Sequence, residues 1–500
     1  MSLQRKAYRG AGWSGLSGLI VNALELLKYI VLARILGPGD FGLLAMAMVI
    51  IGIGRIFADG GTSNAVIHYR NQSGRQLSTL YWINIGAGLT LYGVVALAAP
   101  HVASFYGEPE VNRLLRLGAV VLPVYATGAL YEVMLRKALS FRYIMISEST
   151  AALVSFATAV YLALSGWGVY ALIWSHIATA SMLTLCYVAN GLRSWRPALQ
   201  FSPREVRSHL SFGLFQMGDR GLGVYATRID QLIIGRFFGP DILGAYHLAY
   251  HLVLFPLARL SPLLNRVAFP VFSSRQDDDA RLRNGYLKLM RTMTALTGPL
   301  FLLAALTAPW LVPLLFGGGW ELAAALIPWM AVVGLMRMLG NPSGNIVLSK
   351  GRARLLFLWN LGTAVVSTGV FLAGAQHSVF MLLWLYIGAN MLYFTVGQSI
   401  MVNHLIHLQW SRFFRETSPA FLVLGVSLIS ALAGRLLILH VFPNTSDLIM
   451  VVAIVTLFLL VYLPLVWKVQ SDVIGEVADA YTSDEHRDAM DSVDINYKSD

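Results

Sequence analysis

Residues 34–42 read RILGPGDFG, and residues 236–244 read RFFGPDILG. The two stretches share an arginine, a Gly-Pro pair and a closing glycine, each separated from its counterpart by 202 residues. A Gly-Pro pair ends a helix, because proline cannot continue the hydrogen-bond ladder and glycine accepts turn conformations. Long apolar segments flank both stretches, so each is predicted to be the turn of a helical hairpin. The repetition predicts two similar halves of the chain, each opening on such a hairpin.

The amino-acid composition predicts that these hairpins lie in a membrane. Hydrophobic residues make up 56% of the 500 residues and charged residues 13%, whereas a soluble globular chain is about 25% charged. So few charges do not cover the surface of a soluble protein, and the apolar excess is expected to face lipid. The single cysteine, Cys186, excludes a disulfide framework and a thiolate metal cluster. No cleavage site follows the basic segment Met1 to Arg9, so we expect a retained first span and no signal peptide.

Apolar segments of about 20 residues, the length that crosses the hydrocarbon core, recur along the chain. We predict fourteen membrane spans, at residues 11–36, 41–69, 77–99, 114–136, 146–166, 168–192, 210–236, 242–269, 287–313, 323–347, 354–374, 378–403, 418–440 and 447–467. An even number of spans places both termini on the same side of the membrane.

The basic residues between the spans select that side. Twenty-four Lys and Arg residues fall on the side of the termini, and five fall on the opposite side. Basic loop residues stay in the cytoplasm, so both termini are predicted to be cytoplasmic. The formal net charge of +11 is therefore attributed to orientation in the bilayer, and no nucleic-acid partner is expected.

The predicted fold class is an all-α integral membrane protein with about 14 transmembrane helices. Its two six-helix lobes are expected to be related by a pseudo-twofold axis and to be followed by a C-terminal helix pair. The predicted parts are an N-lobe at 1–192, a cytoplasmic linker at 193–209, a C-lobe at 210–403, spans 13 and 14 at 404–469, and an acidic tail at 470–500. The tail is expected to be disordered. Parallel repeats of this kind place a substrate path between the halves.

Ten charged side chains are predicted to lie in the middle of the membrane, where one ionisable group costs about 2.5–3.5 kcal/mol. Nine of the ten fall in spans 1, 2, 7 and 8, which form the first hairpin of each half. The basic members are Lys28, Arg55, Arg220, Arg228, Arg259 and Arg337, and the acidic members are Glu25, Asp59, Asp219 and Asp230. If the halves face one another, these charges converge on one water-filled cavity.

The spacing of these charges leaves two interpretations open. Glu25 and Lys28 are three residues apart, and Arg55 and Asp59 four, so each pair can neutralise itself along one helix face. The excess of arginine favours an anionic, phosphate-bearing cargo, because a guanidinium presents a planar fork of donors to phosphate oxygens. Acids or backbone carbonyls of other helices are the alternative arginine partners. The four acids are candidates for ion coupling, since a buried carboxylate can exchange protons as a cavity opens and closes.

The sequence lacks the motifs of an enzyme or an ATP-driven pump. It has no P-loop, no HExxH pair and no long external loop that could fold as a catalytic domain. His404 and His407 are three residues apart at a span end, but no third metal ligand lies near them in the sequence. We therefore predict no enzymatic activity, no cofactor and no metal site.

Three stretches of the sequence resemble a known family. They are Ala11-Gly12-Trp13, the run at 33–42, and Asp230-Gln231 followed by the run at 234–240. They resemble the bacterial polysaccharide-transport family, the oligosaccharide flippases of the multidrug/oligosaccharidyl-lipid/polysaccharide exporter superfamily, and among these the colanic-acid-exporter-like members. The resemblance covers about residues 1–470.

This resemblance implies a function. The expected activity is the movement of an undecaprenyl-pyrophosphate-linked oligosaccharide across the bacterial inner membrane by alternating access, for exopolysaccharide, O-antigen or capsule synthesis. It also implies that cationic cavity residues meet the pyrophosphate; the arginines named above are assigned to this role by their depth and not by a motif. Polysaccharide polymerases and assembly proteins are the partners that such a role implies.

Two other functions stay open at this point. A multidrug or cation antiporter of the same superfamily is expected to have an acid-dominated cavity, whereas this chain has six central basic residues against four acids. A membrane polysaccharide polymerase or ligase is expected to carry a sizeable external loop with catalytic Arg or His residues, and no predicted external loop reaches twenty residues.

Overall fold

The structure is a computed structural model. It describes residues 3–58, 66, 72–206, 221, 223, 225, 227–254, 272–273, 277–442 and 445–469, without the side chains of 3–16, 19 and 203. Within these ranges, every regular secondary-structure element is helical.

The described residues before position 200 form seven long or medium helices. They are α1 (Leu3–Ile35), α2 (Pro38–Ala58), α3 (Gly74–Tyr106), α4 (Pro109–Gly118), α5 (Val121–Lys137), α6 (Phe141–Leu164) and α7 (Val169–Gly191). A short 3-10 helix follows at Pro203–Val206. Residues 227–254 form a helical segment that turns at Gly239, where φ is +79°.

Seven further α-helices of seven or more residues lie among the described residues after position 277. They are α8 (Asp279–Phe316), α9 (Glu321–Gly340), α10 (Ser343–Ser349), α11 (Ala353–Ala375), α12 (Val379–Gly397), α13 (Trp410–Val441) and α14 (Asp447–Val469).

Eleven helical stretches among the described residues are long and apolar enough to cross a membrane. They correspond to predicted spans 2 to 6 and 9 to 14. Helix α1 covers predicted span 1, and the helical segment 227–254 covers parts of predicted spans 7 and 8. The all-α, multi-pass membrane fold class is therefore confirmed, while the count of fourteen stays a prediction.

Three predicted spans are interrupted helices. Span 4 consists of α4 and α5, which are separated by a two-residue turn shortly before Pro123. Span 10 consists of α9 and α10, which break at Asn341-Pro342 because proline removes a backbone donor and restricts the preceding residue. Span 12 continues from α12 into a π-helical stretch at Gln398–Asn403. Hydropathy finds the length of a span but does not resolve such breaks.

The chain divides into two compact units. The first comprises Met1–Leu248, Leu315–Ala323 and Asn360–Leu385, and the second comprises Ala249–Leu314, Ala324–Trp359 and Tyr386–Asp500. In the first unit, α6 packs on both α1 and α7, and α5 packs on both α3 and α7. In the second unit, α13 and α14 pack along each other. The lobe boundaries suggested by the sequence repeat stay predictions.

The helix pair α13 and α14 is anchored on α8 within the second unit. Leu306 of α8 belongs to the same buried cluster as Val423, Ile454 and Phe458. The Tyr462 hydroxyl donates a 2.6 Å hydrogen bond to the carbonyl oxygen of Ala295. The C-terminal pair is therefore a packed part of this unit.

Candidate functional site: a cationic cavity in the first unit

The two Gly-Pro turns contact each other within the first unit. A Cβ atom built on Gly42 would lie 1.8 Å from the carbonyl oxygen of Pro240, and one on Gly244 would lie 1.8 Å from that of Pro38. No side chain fits at such distances, so both positions require glycine. Because Gly42 and Gly244 are equivalent in the repeat, as are Pro38 and Pro240, the contact is reciprocal. Each repeat places its glycine against the proline of the other. We refer to this reciprocal contact as the Gly-Pro contact.

Aromatic residues extend the same symmetry on either side of the Gly-Pro contact. The indole nitrogen of Trp320 donates a 2.9 Å hydrogen bond to the carbonyl oxygen of Ala33. The residue 202 positions after Ala33 is Gly235, and a Cβ atom there would lie 2.9 Å from the Tyr106 ring. An aromatic side chain therefore packs against the backbone just before each Gly-Pro turn.

The shared arginines of the two repeats also have similar roles. Arg34 donates from Nε to the carbonyl oxygen of Leu315 at 2.8 Å. The guanidinium carbon of Arg236 lies 5.7 Å from the centroid of the Phe105 ring. Arg236 thus contacts α3, which also carries Tyr106, whereas Arg34 bonds to the end of α8, five residues before Trp320. Neither arginine lines the cavity described next.

A cavity of about 260 Å³ lies within the first unit. Four polar side chains from four different elements line it: Arg55 of α2, Tyr125 of α5, His176 of α7 and Arg228 of the helical segment 227–254. The remaining lining residues are Met48, Val49, Ile51, Gly52 and Val121. An apolar wall with a few converging polar groups is typical of a binding site. The cavity brings together two of the arginines that the sequence predicts to bind cargo.

Arg55 is exposed to this cavity and rests on an aromatic ring. Its guanidinium carbon lies 4.0 Å from the centroid of the Tyr125 ring, a cation–π contact. Its predicted ion-pair partner, Asp59, lies outside the described residues. Among the residues that the structure describes, no carboxylate lies within ion-pair distance of Arg55.

Arg228 is held by an amide. Its Nη1 donates a 3.1 Å hydrogen bond to Oε1 of Gln231, which is only 1% exposed. The neighbouring carboxylate of Asp230 accepts a 2.8 Å hydrogen bond from the Tyr246 hydroxyl and one of the same length from the backbone N–H of Gln231. The described hydrogen bonds of Asp230 therefore run to Tyr246 and the backbone.

Glu25 and Lys28 form the predicted pair along α1, with 2.8 Å between Oε1 and Nζ. Lys28 is 5% exposed and also donates a 3.2 Å hydrogen bond to the Ser155 hydroxyl, which itself bonds to the carbonyl oxygen of Ser175. This pair adjoins the cavity, because Lys28 lies within electrostatic range of His176.

Arg337 belongs to the second unit. Its Nη1 donates a 3.2 Å hydrogen bond to the Tyr250 hydroxyl, and its Nη2 donates to the Tyr386 hydroxyl. The two rings lie 5.8 Å and 5.5 Å from the guanidinium carbon. Two phenol groups thus hold this arginine, which contrasts with the open position of Arg55.

The other predicted site residues are not described. Arg220, Arg259, Asp59 and Asp219 all lie outside the described residues. Within the described ranges, no group of three or more His, Cys, Asp or Glu side chains is arranged to hold a metal ion.

Two lining residues were not assigned to the site from the sequence. His176 lies seven residues after the start of α7, about 10 Å along the helix, so it is predicted to lie in an outer third of its span. Tyr125 is one of several tyrosines within spans. The signal for His176 was an ionisable side chain inside a span, but only the packing of α2 and α5 on α7 shows where it points.

The described chain is thus a multi-pass helical membrane protein whose helices line a cavity with an apolar wall and converging cationic groups, an arrangement typical of membrane transporters. Residues 31–325 match the family described as "Polysaccharide biosynthesis protein". The chain belongs to this family. The resemblance found in the sequence motifs is therefore confirmed.

Individual relatives agree with this assignment. The teichuronic acid biosynthesis protein TuaB of Bacillus subtilis (strain 168) is 29% identical over 426 residues, covering 84% of this chain and 87% of its own length. The lipopolysaccharide biosynthesis protein WzxC of Escherichia coli (strain K12) is 30% identical over 376 residues, covering 75% and 76%. The solved structure of lipid II flippase MurJ, in an inward closed conformation, matches 92% of this chain and 99% of its own with a TM-score of 0.70. At 11% identity, the last likeness shows a common fold.

Proposed function

We propose that this protein moves an undecaprenyl-pyrophosphate-linked oligosaccharide repeat unit across the bacterial inner membrane by alternating access. The family and the relatives named for teichuronic acid and lipopolysaccharide biosynthesis support a role in building surface glycans. In this proposal both termini are cytoplasmic and the protein is a transporter without catalytic residues. Polysaccharide polymerases and assembly proteins then receive the cargo.

The observation that carries the proposal is the convergence of Arg55 and Arg228 on one cavity. Both keep their charge at any physiological pH and present forked donors, which suit the oxygens of a diphosphate. The surroundings are largely apolar, so a bound anion interacts with these donors more strongly than it does in water. The diphosphate is assigned to this cavity, the sugars to water on its open side, and the polyprenyl chain to lipid.

The other predicted charges have secondary roles in this proposal. Lys28 adds positive charge beside the cavity, and Glu25 balances it when no cargo is present. Arg220, Arg259 and Arg337 are proposed to meet the headgroup at other stages of its passage. Glu25, Asp59, Asp219 and Asp230 remain the candidates for ion coupling.

The test is glycan export from cells that depend on this protein. Arg55→Ala and Arg228→Ala should each lower export about tenfold or more, since each removes a charge-assisted contact of about 1.5–3 kcal/mol. Arg55→Lys should retain an intermediate rate, because lysine keeps the charge but loses the fork. Lipid-linked precursor should accumulate in the inner leaflet, which separates a block in transport from a block in polymerisation.

A matched control is Arg113→Ala, because Arg113 is an exposed arginine of α4 that does not line the cavity. Its export should equal that of the wild type. Full export by both cavity variants, at equal protein levels in the membrane, would remove the basis of the proposal.

A further inference from the structure

The cavity contains a group whose charge a cargo can change. The imidazole of His176 lines it together with Arg55, Tyr125 and Arg228. Arginine does not lose its proton in proteins, and tyrosine is neutral near pH 7. Among the described lining groups, the imidazole is therefore the side chain whose unperturbed pKa lies nearest to physiological pH, so a bound charge can change its protonation most readily.

The ionisable groups around His176 come from four elements. They are Lys28 from α1, Arg55 from α2, Tyr125 from α5 and Arg228 from the helical segment 227–254. The acids on the helices around the cavity are already engaged: Glu25 is bound to Lys28, and Glu132 of α5, which acts on Tyr125, is bound to Arg136. Glu110 of α4 accepts a hydrogen bond from the Tyr170 hydroxyl, and Glu148 of α6 accepts one from the Ser17 hydroxyl. Helix α6 contributes the Ser155 hydroxyl beside Lys28. Among the described groups, cations dominate the surroundings of the imidazole when the cavity is empty.

An anionic cargo changes the net charge around His176 from positive towards negative. A diphosphate bound between Arg55 and Arg228 places two negative charges in the cavity that His176 lines. A nearby negative charge favours the imidazolium form, whereas nearby cations oppose it. Because binding linkage is reciprocal, an anion that favours protonation of His176 is itself bound more tightly when His176 is protonated.

We propose that His176 takes up a proton from water when the diphosphate headgroup enters the cavity, and returns it when the headgroup leaves. An N–H bond forms on the imidazole as an O–H bond of a hydronium ion breaks, and the reverse occurs when the headgroup leaves. The imidazolium is then a third cationic contact, present only while cargo is bound. The inference rests on the proposed function, because it requires the diphosphate to bind in this cavity.

A switchable cation has an advantage over a third fixed one. A third fixed cation would repel Lys28 and Arg55 whenever the cavity is empty, and the empty carrier has to complete its cycle. With histidine, the extra charge is present only when an anion compensates it. The same linkage gives preference to a doubly charged headgroup over a singly charged one.

The test measures proton uptake on binding of a defined probe to the full-length protein in lipid nanodiscs. The probe is farnesyl-diphosphate-N-acetylglucosamine, a diphosphate diester whose phosphates do not titrate near neutral pH. Calorimetry in buffers of different ionisation enthalpy counts the protons taken up. We expect a net uptake of about half a proton, averaged between pH 6 and pH 8, which corresponds to an affinity about tenfold higher at pH 6 than at pH 8.

Two variants of His176 distinguish an effect of its charge from an effect on protein folding. His176→Gln should bind the probe with less than about a twofold change between these pH values and without proton uptake. His176→Lys should bind tightly at both pH values, also without uptake. His101→Gln is the matched control, because His101 is an exposed histidine of α3 outside the cavity, and it should behave as the wild type.

The outcomes distinguish the two proposals. Probe binding by the wild type without proton uptake, or uptake that persists in His176→Gln, would overturn the role of His176 and leave the proposed function standing. Failure of the wild type to bind the probe at any pH would overturn the proposed function. Thermal unfolding of each variant in the same nanodiscs shows that a lost signal does not come from lost structure.

Discussion

The Gly-Pro contact and the cationic cavity belong to the same unit but are built in opposite ways. The Gly-Pro contact is made of backbone atoms held at distances that exclude any side chain at Gly42 or Gly244. The cavity is made of long side chains, and its central arginines rest on a ring and an amide. The first arrangement permits no variation at its glycines, whereas the second can adapt to what enters it. The rigid Gly-Pro contact and the charged cavity are thus formed by different residues of the same unit.

The strongest test of this contrast is Gly42→Val. The three added carbon atoms would clash with the Pro240 carbonyl, which is a backbone group and cannot rotate away as a side chain can. We expect a destabilisation of about 3 kcal/mol or more, seen as a fall of about 5–10 °C in the unfolding midpoint of the purified protein in detergent.

The control for this change is Gly37→Ala in the same repeat. A Cβ atom on Gly37 would have no neighbour within 4 Å, and its backbone is outside the left-handed region. Its midpoint should stay within about 1 °C of the wild type. Equal stability of Gly42→Val and Gly37→Ala would show that the Gly-Pro contact is not rigid.

A second test asks how the charges beside the cavity depend on each other. Lys28→Met leaves the Glu25 carboxylate without its 2.8 Å partner, in a region that is mostly apolar. Because Glu25 is partly exposed, we expect a loss of about 2 kcal/mol, less than for a fully buried pair. Glu25→Gln combined with Lys28→Met should recover part of it, as measured by thermal unfolding. A double variant as unstable as the sum of the single ones would mean that the two side chains act independently.

The smallest expected effect concerns the ring beneath Arg55. Tyr125→Leu removes the cation–π contact, worth about 1 kcal/mol, so probe binding should weaken about fivefold. Tyr125→Phe keeps the ring and should bind within about twofold of the wild type. If both variants weaken binding alike, the hydroxyl and not the ring face positions the arginine.

The sequence predicted the two Gly-Pro turns as equivalent positions of a repeat, but neither their contact with each other nor which of the predicted charges line the cavity, and the reason is physical. Helix length, hydropathy and the Gly-Pro turns are local properties, and a repeat at a constant offset marks equivalent positions directly. The Glu25–Lys28 pair is local too, because helix geometry fixes which residues share a face. The convergence of Arg55, His176 and Arg228 depends on how separate helices rotate about their axes.

The depth of an arginine in its predicted span indicated that its side chain lies inside the protein, but it did not distinguish an open cavity from a closed hydrogen-bonding environment. In the sequence, Arg55 and Arg337 are both basic residues within apolar spans, and Arg55 alone of the two has an acid, Asp59, within four residues. In the structure, Arg55 opens into a cavity, whereas Arg337 is held by two tyrosine hydroxyls from other helices. Hydropathy also did not predict the helix break at Asn341-Pro342 or the π-helical stretch at Gln398–Asn403, because both lie within continuous apolar segments.

The hydrogen bond between Trp320 and Ala33 has a consequence for biosynthesis. The two residues are 287 positions apart, so the end of α1 leaves the ribosome long before its indole partner exists. At about 5–20 residues per second, that interval is about 15–60 s. During it, the carbonyl oxygen of Ala33 lacks its indole donor, and the packing around Trp320 is incomplete. Nascent chains arrested just before and just after residue 320 should differ sharply in protease resistance, and similar resistance would show that the bundle matures without this bond.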